Sequence, residues 1–135
     1  MIKHISESKK EEMKGKIRKI LTEKDEVIFA YLHGSFNETY FRDVDIAVYV
    51  DEDKVGDFLD YELRISTEIE NVIRLSVDVK VLNSAPLSFK YRAIKGELLI
   101  SKNEEIRFRF IESTLMEYLD FKPIEEKIIE EILTT

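Results

Sequence analysis

The sequence has no cysteine, no tryptophan and no glutamine. Without cysteine there is no disulfide, zinc–thiolate centre, iron–sulfur cluster or thiolate nucleophile. Two histidines, His4 and His33, leave little material for a histidine-rich metal site. Two prolines and four glycines are spread singly, so no linker or repeat divides the chain. The apolar runs are short: residues 27–32 are typical of the longest, against the ~20 residues a membrane helix needs. The first residues carry neither the apolar core nor the small-residue cleavage site of an export signal. Positive charge is also scarce, with 21 Lys and Arg against 28 Asp and Glu and a net charge of −7. That balance argues against non-specific nucleic-acid binding, which needs a cationic surplus for phosphates.

What is present is 135 residues, 44% hydrophobic and 36% charged. The length fits one domain, and the apolar share is too high for a disordered chain. Such a chain buries roughly two-thirds of its unfolded surface, enough for a core. The expectation is a single acidic domain over residues 1–135, cytoplasmic and without membrane contact.

Hydrophobic spacing predicts the elements. Residues 8–21 read as a helix, with Met13, Ile17, Ile20 and Leu21 as its stripe and Ser8 with Glu11 as a capping box. Residues 27–32 form a continuous apolar run, as in a strand covered on both faces. Over 43–50, Val44, Ile46, Val48 and Val50 alternate with Asp43, Asp45, Ala47 and Tyr49. The acids 51–53 open a second helix, and residues 75–82 alternate again. Residues 87–95 read as a helix closed by Gly96, 98–100 as a short strand and 104–119 as a helix. A last helix starts at Pro123 and carries Ile128, Ile129, Ile132 and Leu133. Helices and strands in this order give an α/β sandwich with a small sheet.

Three features carry chemistry. Gly34-Ser35 directly follows the buried run. Glycine allows a ligand to approach the backbone closely, and a helical turn from Ser35 would aim free N–H groups at a phosphate. The same dipeptide also makes an ordinary turn. Asp43 and Asp45 are two apart, so on a strand they share a face about 6.6 Å apart along the chain. Such carboxylates repel unless a cation lies between them, and they suit Mg²⁺. The other reading is a strand end with two solvated aspartates, yet Asp is disfavoured in strands and here interrupts one twice. Asp78 interrupts the 75–82 alternation. Beside the 43–50 strand it completes a carboxylate triad, as general base or ligand to a second metal; alone, it is an exposed residue that pairs with Lys80 or Arg74. Together the three describe a two-metal site for phosphoryl transfer.

The run Leu32-His33-Gly34-Ser35, then Asp43-Val44-Asp45-Ile46, then Val77-Asp78-Val79 resembles the nucleotidyltransferases of the DNA polymerase β superfamily. Length, the step Val81-Leu82-Asn83 and the tail from Tyr118 to Pro123 are most similar to its minimal nucleotidyltransferase (MNT) group. The resemblance implies a mixed sheet flanked by helices and transfer of a nucleoside monophosphate, with pyrophosphate leaving. It implies that Gly34 and Ser35 hold the β and γ phosphates of ATP. It implies that Asp43 and Asp45 bind one or two Mg²⁺, with Asp78 as third ligand or base. Many MNT proteins are antitoxins encoded beside a HEPN-family RNase toxin, acting by adenylylation of a toxin tyrosine or by tight association. Both modes are therefore open, with transfer to a small molecule such as an aminoglycoside as a third. One departure stands out: seven residues, 36–42, separate Ser35 from Asp43, fewer than in most MNT proteins. The shorter loop is expected to narrow the nucleotide pocket. A homodimer or hetero-oligomer with the toxin is compatible with the apolar faces of the last two helices.

Other residues read more simply. His33 is expected to be a hydrogen-bonded, partly buried structural histidine. Arg42 and Lys80 either contact triphosphate or neutralise the acids. Tyr31, Tyr40, Tyr49 and Phe36 pack against neighbours. The basic run 14–19 is the solvated face of the first helix.

Overall fold

A computed structural model describes residues 4–38, 40–121 and 131–134. The elements are α1 (Glu7–Thr22), β1 (Val27–His33), β2 (Val44–Val50), a 3₁₀ turn (Glu52–Lys54), α2 (Phe58–Ile73), β3 (Val77–Val81), α3 (Leu87–Ile94), β4 (Glu97–Ser101) and α4 (Glu104–Phe121). Four strands form one sheet in the order β3-β2-β1-β4. β1 pairs antiparallel with β2 and with β4, while β2 and β3 run parallel. The mixed sheet and flanking helices are those expected. Of the last predicted helix, Pro123, Ile128 and Ile129 lie outside the described residues; Ile132 is buried.

The alternation of β2 separates two cores. Val44, Ile46, Val48 and Val50 pack with Met13, Ile17 and Leu21 of α1 and Tyr61, Ile65 and Ile69 of α2. Ala47 and Tyr49 face the other way, among Phe29, Tyr31, Tyr91, Ile94, Ile111 and Leu115. The continuous apolar run of β1 follows from its central place, because both faces are covered. Aromatic side chains fill the second layer: Phe29 and Tyr49 stack at 4.9 Å, and Arg107 donates to the Tyr31 hydroxyl at 2.8 Å. Phe36 is buried as well, whereas Tyr40 is exposed.

Several local readings are corrected. Ser6, not Ser8, caps α1, its Oγ accepting from the Lys9 N–H at 3.2 Å. The earlier start places Lys10, Met13, Lys14, Ile17 and Leu21 on the buried face. The basic run is therefore not wholly solvated: Lys14 and Arg18 reach Glu97 at 2.9 and 3.1 Å. The acids 51–53 do not open α2. Asp51 caps the 3₁₀ turn and Asp57 caps α2, because extended Val55 interrupts the helical path. Gly96 does not take up a left-handed cap. A Cβ there would lie 2.3 Å from the Leu32 carbonyl oxygen, so the glycine is required for close packing of backbone on backbone.

The edge strand β3 is sealed by side chains. The amides of Val77, Val79 and Val81 donate to Glu70 Oε2, Ser66 Oγ and Glu62 Oε2 at 2.9, 3.0 and 2.7 Å. Residues 62, 66 and 70 are four apart, one turn each, so a single face of α2 meets every second residue of the strand. This satisfies donors that an open edge would leave for another chain. Glu62→Ala and Glu70→Ala are each expected to cost about 1 kcal/mol and to speed amide exchange at Val81 and Val77 respectively. Urea denaturation and hydrogen exchange check both; unchanged protection at these amides would contradict the sealing role.

Candidate active site

The sheet register brings together residues far apart in sequence. His33 pairs with Asp45 across β1 and β2, and Asp45 aligns with Asp78 across β2 and β3. Aligned residues on neighbouring strands share a face. Since Val44, Ile46, Val77 and Val79 point to the α1/α2 core, Asp45 and Asp78 point to the opposite side. There they line a cleft of about 430 Å³ with His33, Gly34, Phe89, Arg92 and Lys95. A second hollow of about 500 Å³ continues past His33, Gly34, Arg92 and Lys95 to Asn37 and Glu97. A larger cavity, about 690 Å³, lies at the other end of the sheet beside Tyr49, Asp51 and Phe110. Size does not make it the site: its Asp51 is spent in capping and Asn83 is bonded twice to Val50.

Gly34 ends β1 with φ +77°. A Cβ there would lie 2.3 Å from Oδ2 of Asp45. Both the backbone angle and the carboxylate therefore demand glycine. Ser35 follows in a turn and not in a helix: its carbonyl accepts from the Glu38 N–H at 2.9 Å. Of the two readings of Gly34-Ser35 the ordinary turn is the one found, and no helix starts at Ser35. What remains is a turn whose backbone lies against Asp45.

The acids are unequal. Asp43 precedes β2 and is exposed, outside the residues lining the cleft. Asp45 is half-buried. Burial, then the charges of Asp78 and Asp43, push its carboxyl up to about 6. Asp78 is exposed, and Lys80 Nζ lies 3.8 Å from its Oδ1. Lys80 thus neutralises an acid, while Arg42 is exposed and does not line the cleft. His33 differs from its expected role: its Nε2 is buried with no hydrogen-bond partner. Burial and the Arg92 charge hold its pKa below the ordinary range, partly offset by Asp78. Phe89 meets its ring edge-on at 5.1 Å.

These donors suit a hard cation. Among the described residues no three acids or histidines are grouped closely enough to enclose one. Mg²⁺ does not need a closed cage, since it is held by one or two carboxylates with waters and substrate phosphates. The mutual repulsion recorded at Asp45 is what such an ion relieves.

Residues 15–105, two-thirds of the chain, match the family model "Polymerase beta, Nucleotidyltransferase". The chain belongs to the polymerase β nucleotidyltransferase family. Its fold is similar to that of a chain in the complex of a tri-AMPylated Shewanella oneidensis HEPN toxin with an MNT antitoxin. That likeness has a TM-score of 0.69 and 20% identity, over 92% of this chain and 98% of that one. A toxin–antitoxin MntA–HepT structure aligns with TM-score 0.67 and 19% identity, over 91% and 98%. A toxin–antitoxin structure with AMP-PNP aligns with TM-score 0.68 and 22% identity, over 89% and 98%. A search of curated protein sequences gave no match.

Within this family fold, sequence reading missed the cations of the cleft. Arg42 and Lys80 are near the acids in sequence, but Arg92 and Lys95 face them in space. α3 buries Tyr91, Ala93 and Ile94, which turns Phe89 and Arg92 toward the acids. The signal was the spacing of Phe89, Arg92 and Lys95, three apart, on the helix after the third acid and at its C-cap.

The raised pKa of Asp45 fixes a sign. The folded state holds this proton more tightly than the unfolded state, whose value is near 3.8. Its stabilising contribution is full below about pH 4 and is lost as pH rises through about 6. Asp45→Asn is therefore expected to stabilise the metal-free protein at pH 7.5. The gain is on the order of 1 kcal/mol after discounting for a half-exposed group, and shrinks toward pH 4. Urea denaturation at the two pH values decides it; a variant less stable at pH 7.5 contradicts the assignment.

Proposed function

We propose that this protein transfers AMP from ATP to a tyrosine of a partner HEPN-type toxin, and so acts as an antitoxin. The observation that carries the reading is the register of His33, Asp45 and Asp78 beside Gly34. Support comes from the family match and from two similar structures, one with a tri-AMPylated toxin and one with AMP-PNP.

The residues divide the work. Gly34 and Ser35 present their backbone, and Ser35 its hydroxyl, to the β and γ phosphates. Arg92 and Lys95, across the cleft, offset the triphosphate charge. Asp45, with exposed Asp43 beside it, would hold Mg²⁺, and Asp78 would serve as third ligand or as base. When bound, Mg²⁺ neutralises phosphate charge and orients the leaving pyrophosphate. The acceptor hydroxyl attacks the α-phosphorus, the bond to the β-phosphate oxygen breaks, and pyrophosphate leaves. The hydroxyl proton passes to the exposed carboxylate of Asp78, and Lys80 at 3.8 Å steadies its charge. The cleft is open on the Asp78 side, so the partner itself supplies the contacts that position its tyrosine.

The test uses ATP labelled at the α-phosphate, with Mg²⁺ and an extract of the source cells. Label is expected in a single protein band, on tyrosine. Asp43→Asn with Asp45→Asn is expected to reduce it about 100-fold or more, with the fold intact by circular dichroism. Arg92→Met is expected to raise KM for ATP about tenfold with a smaller change in kcat. Label in small molecules alone would replace the protein acceptor. No transfer above the double variant would leave association as the mode of neutralisation.

A further inference from the structure

Lys10 is fully buried. Its ammonium donates to the carbonyl oxygen of Glu38. It lies 5.6 and 5.3 Å from the ring centroids of Phe36 and Phe41, which meet edge-on at 4.8 Å. Among the described residues the carboxylate paired with it is Glu7 at 3.7 Å, which is 78% exposed. Three of these four partners belong to the segment 35–42 that joins Gly34 to Asp43. A second tether reaches the same segment: Asn37 Nδ2 donates to Glu97 Oε1 at 3.0 Å, and Lys14 and Arg18 hold Glu97. Lys10, Lys14 and Arg18 are four apart and follow one side of α1.

Burying an ammonium is costly, and a methionine would fill the same length without that cost. What the amine adds is direction: a bond to one carbonyl and attraction to two ring faces. The segment it grips is short, and within it the Glu38 N–H donates to the Ser35 carbonyl at 2.9 Å. We propose that Lys10 is a positioning residue. It clamps segment 35–42 so that the Gly34-Ser35 backbone is set for the triphosphate before nucleotide arrives. The proposal rests on the nucleotidyltransferase reading above and adds the device that holds its phosphate turn.

Lys10→Met keeps the apolar stem and removes donor and charge. The hydrogen-bonded amide of Glu38 is expected to exchange at least tenfold faster in Lys10→Met, with β1 and β2 amides and the Tm unchanged or improved. In the transfer assay KM for ATP is expected to rise about tenfold while kcat changes less than twofold. Asn37→Ala, at an exposed site that leaves the core intact, should move both readouts the same way by a smaller factor. Unchanged exchange at the Glu38 amide, an unchanged KM, or a loss of activity that tracks loss of core protection would each overturn the proposal. A wild-type protein that transfers no AMP would reject the functional reading instead. The exchange comparison, with and without ATP and Mg²⁺, would still decide whether Lys10 sets the turn.

Discussion

The site depends on a close packing of backbone against carboxylate. A Cβ on residue 34 would collide with Oδ2 of Asp45 at 2.3 Å, so β1 must end in a residue without a side chain and with positive φ. That contact fixes the turn relative to β2, and β2 fixes Asp45 relative to Asp78 through the parallel register. The carboxylate is thereby held half-buried and near two other acids, which its raised proton affinity records. Such an arrangement costs stability without a ligand. The two cores and the sealed edge of β3 keep it in place.

The supports are of different kinds. Asp45 stands on a strand packed on both faces. Asp78 stands on an edge strand, whose outward amides are occupied by Glu62, Ser66 and Glu70 of α2. The turn after Gly34 is followed by Phe36 and Phe41, buried in the α1/α2 core, and α1 reaches it through the side chain of Lys10. Arg92 and Lys95 come from a short helix with no side-chain cap, held by the buried faces of Tyr91, Ala93 and Ile94. Acids on strands and cations on a helix therefore meet across a cleft that neither element forms alone. The same division leaves Asp78 exposed on the open side.

Much of the layout was legible in the residues. The period-two alternation of β2 separates its two faces without ambiguity, because a shift of one residue would turn Asp45 into the α1/α2 core. The unbroken apolar run of β1 identifies the strand covered on both sides. The spacing of Asp43 and Asp45, with Asp78 in a second alternation, named the acids. Helix starts were less legible, since Ser6, Ser8, Asp51 and Asp57 are all competent caps and only packing selects among them. Lys14 was misread as solvated, and Lys10 passed over, because charge near the start of a helix normally faces water. Here Glu97 and the Glu38 carbonyl, 83 and 28 residues away, provide the partners that permit burial.

Local chemistry and periodicity thus determine the strand faces, the candidate acids and the glycine that precedes them, because these depend on neighbours one to four residues apart. The tertiary structure alone decided which acids align, which cations oppose them and what holds the turn. Asp45 lies 33 residues from Asp78, and the Glu38 carbonyl in the turn segment lies 28 residues from Lys10 of α1. No spacing rule spans such separations; they are set by sheet register and by which helix face has apolar surface to bury.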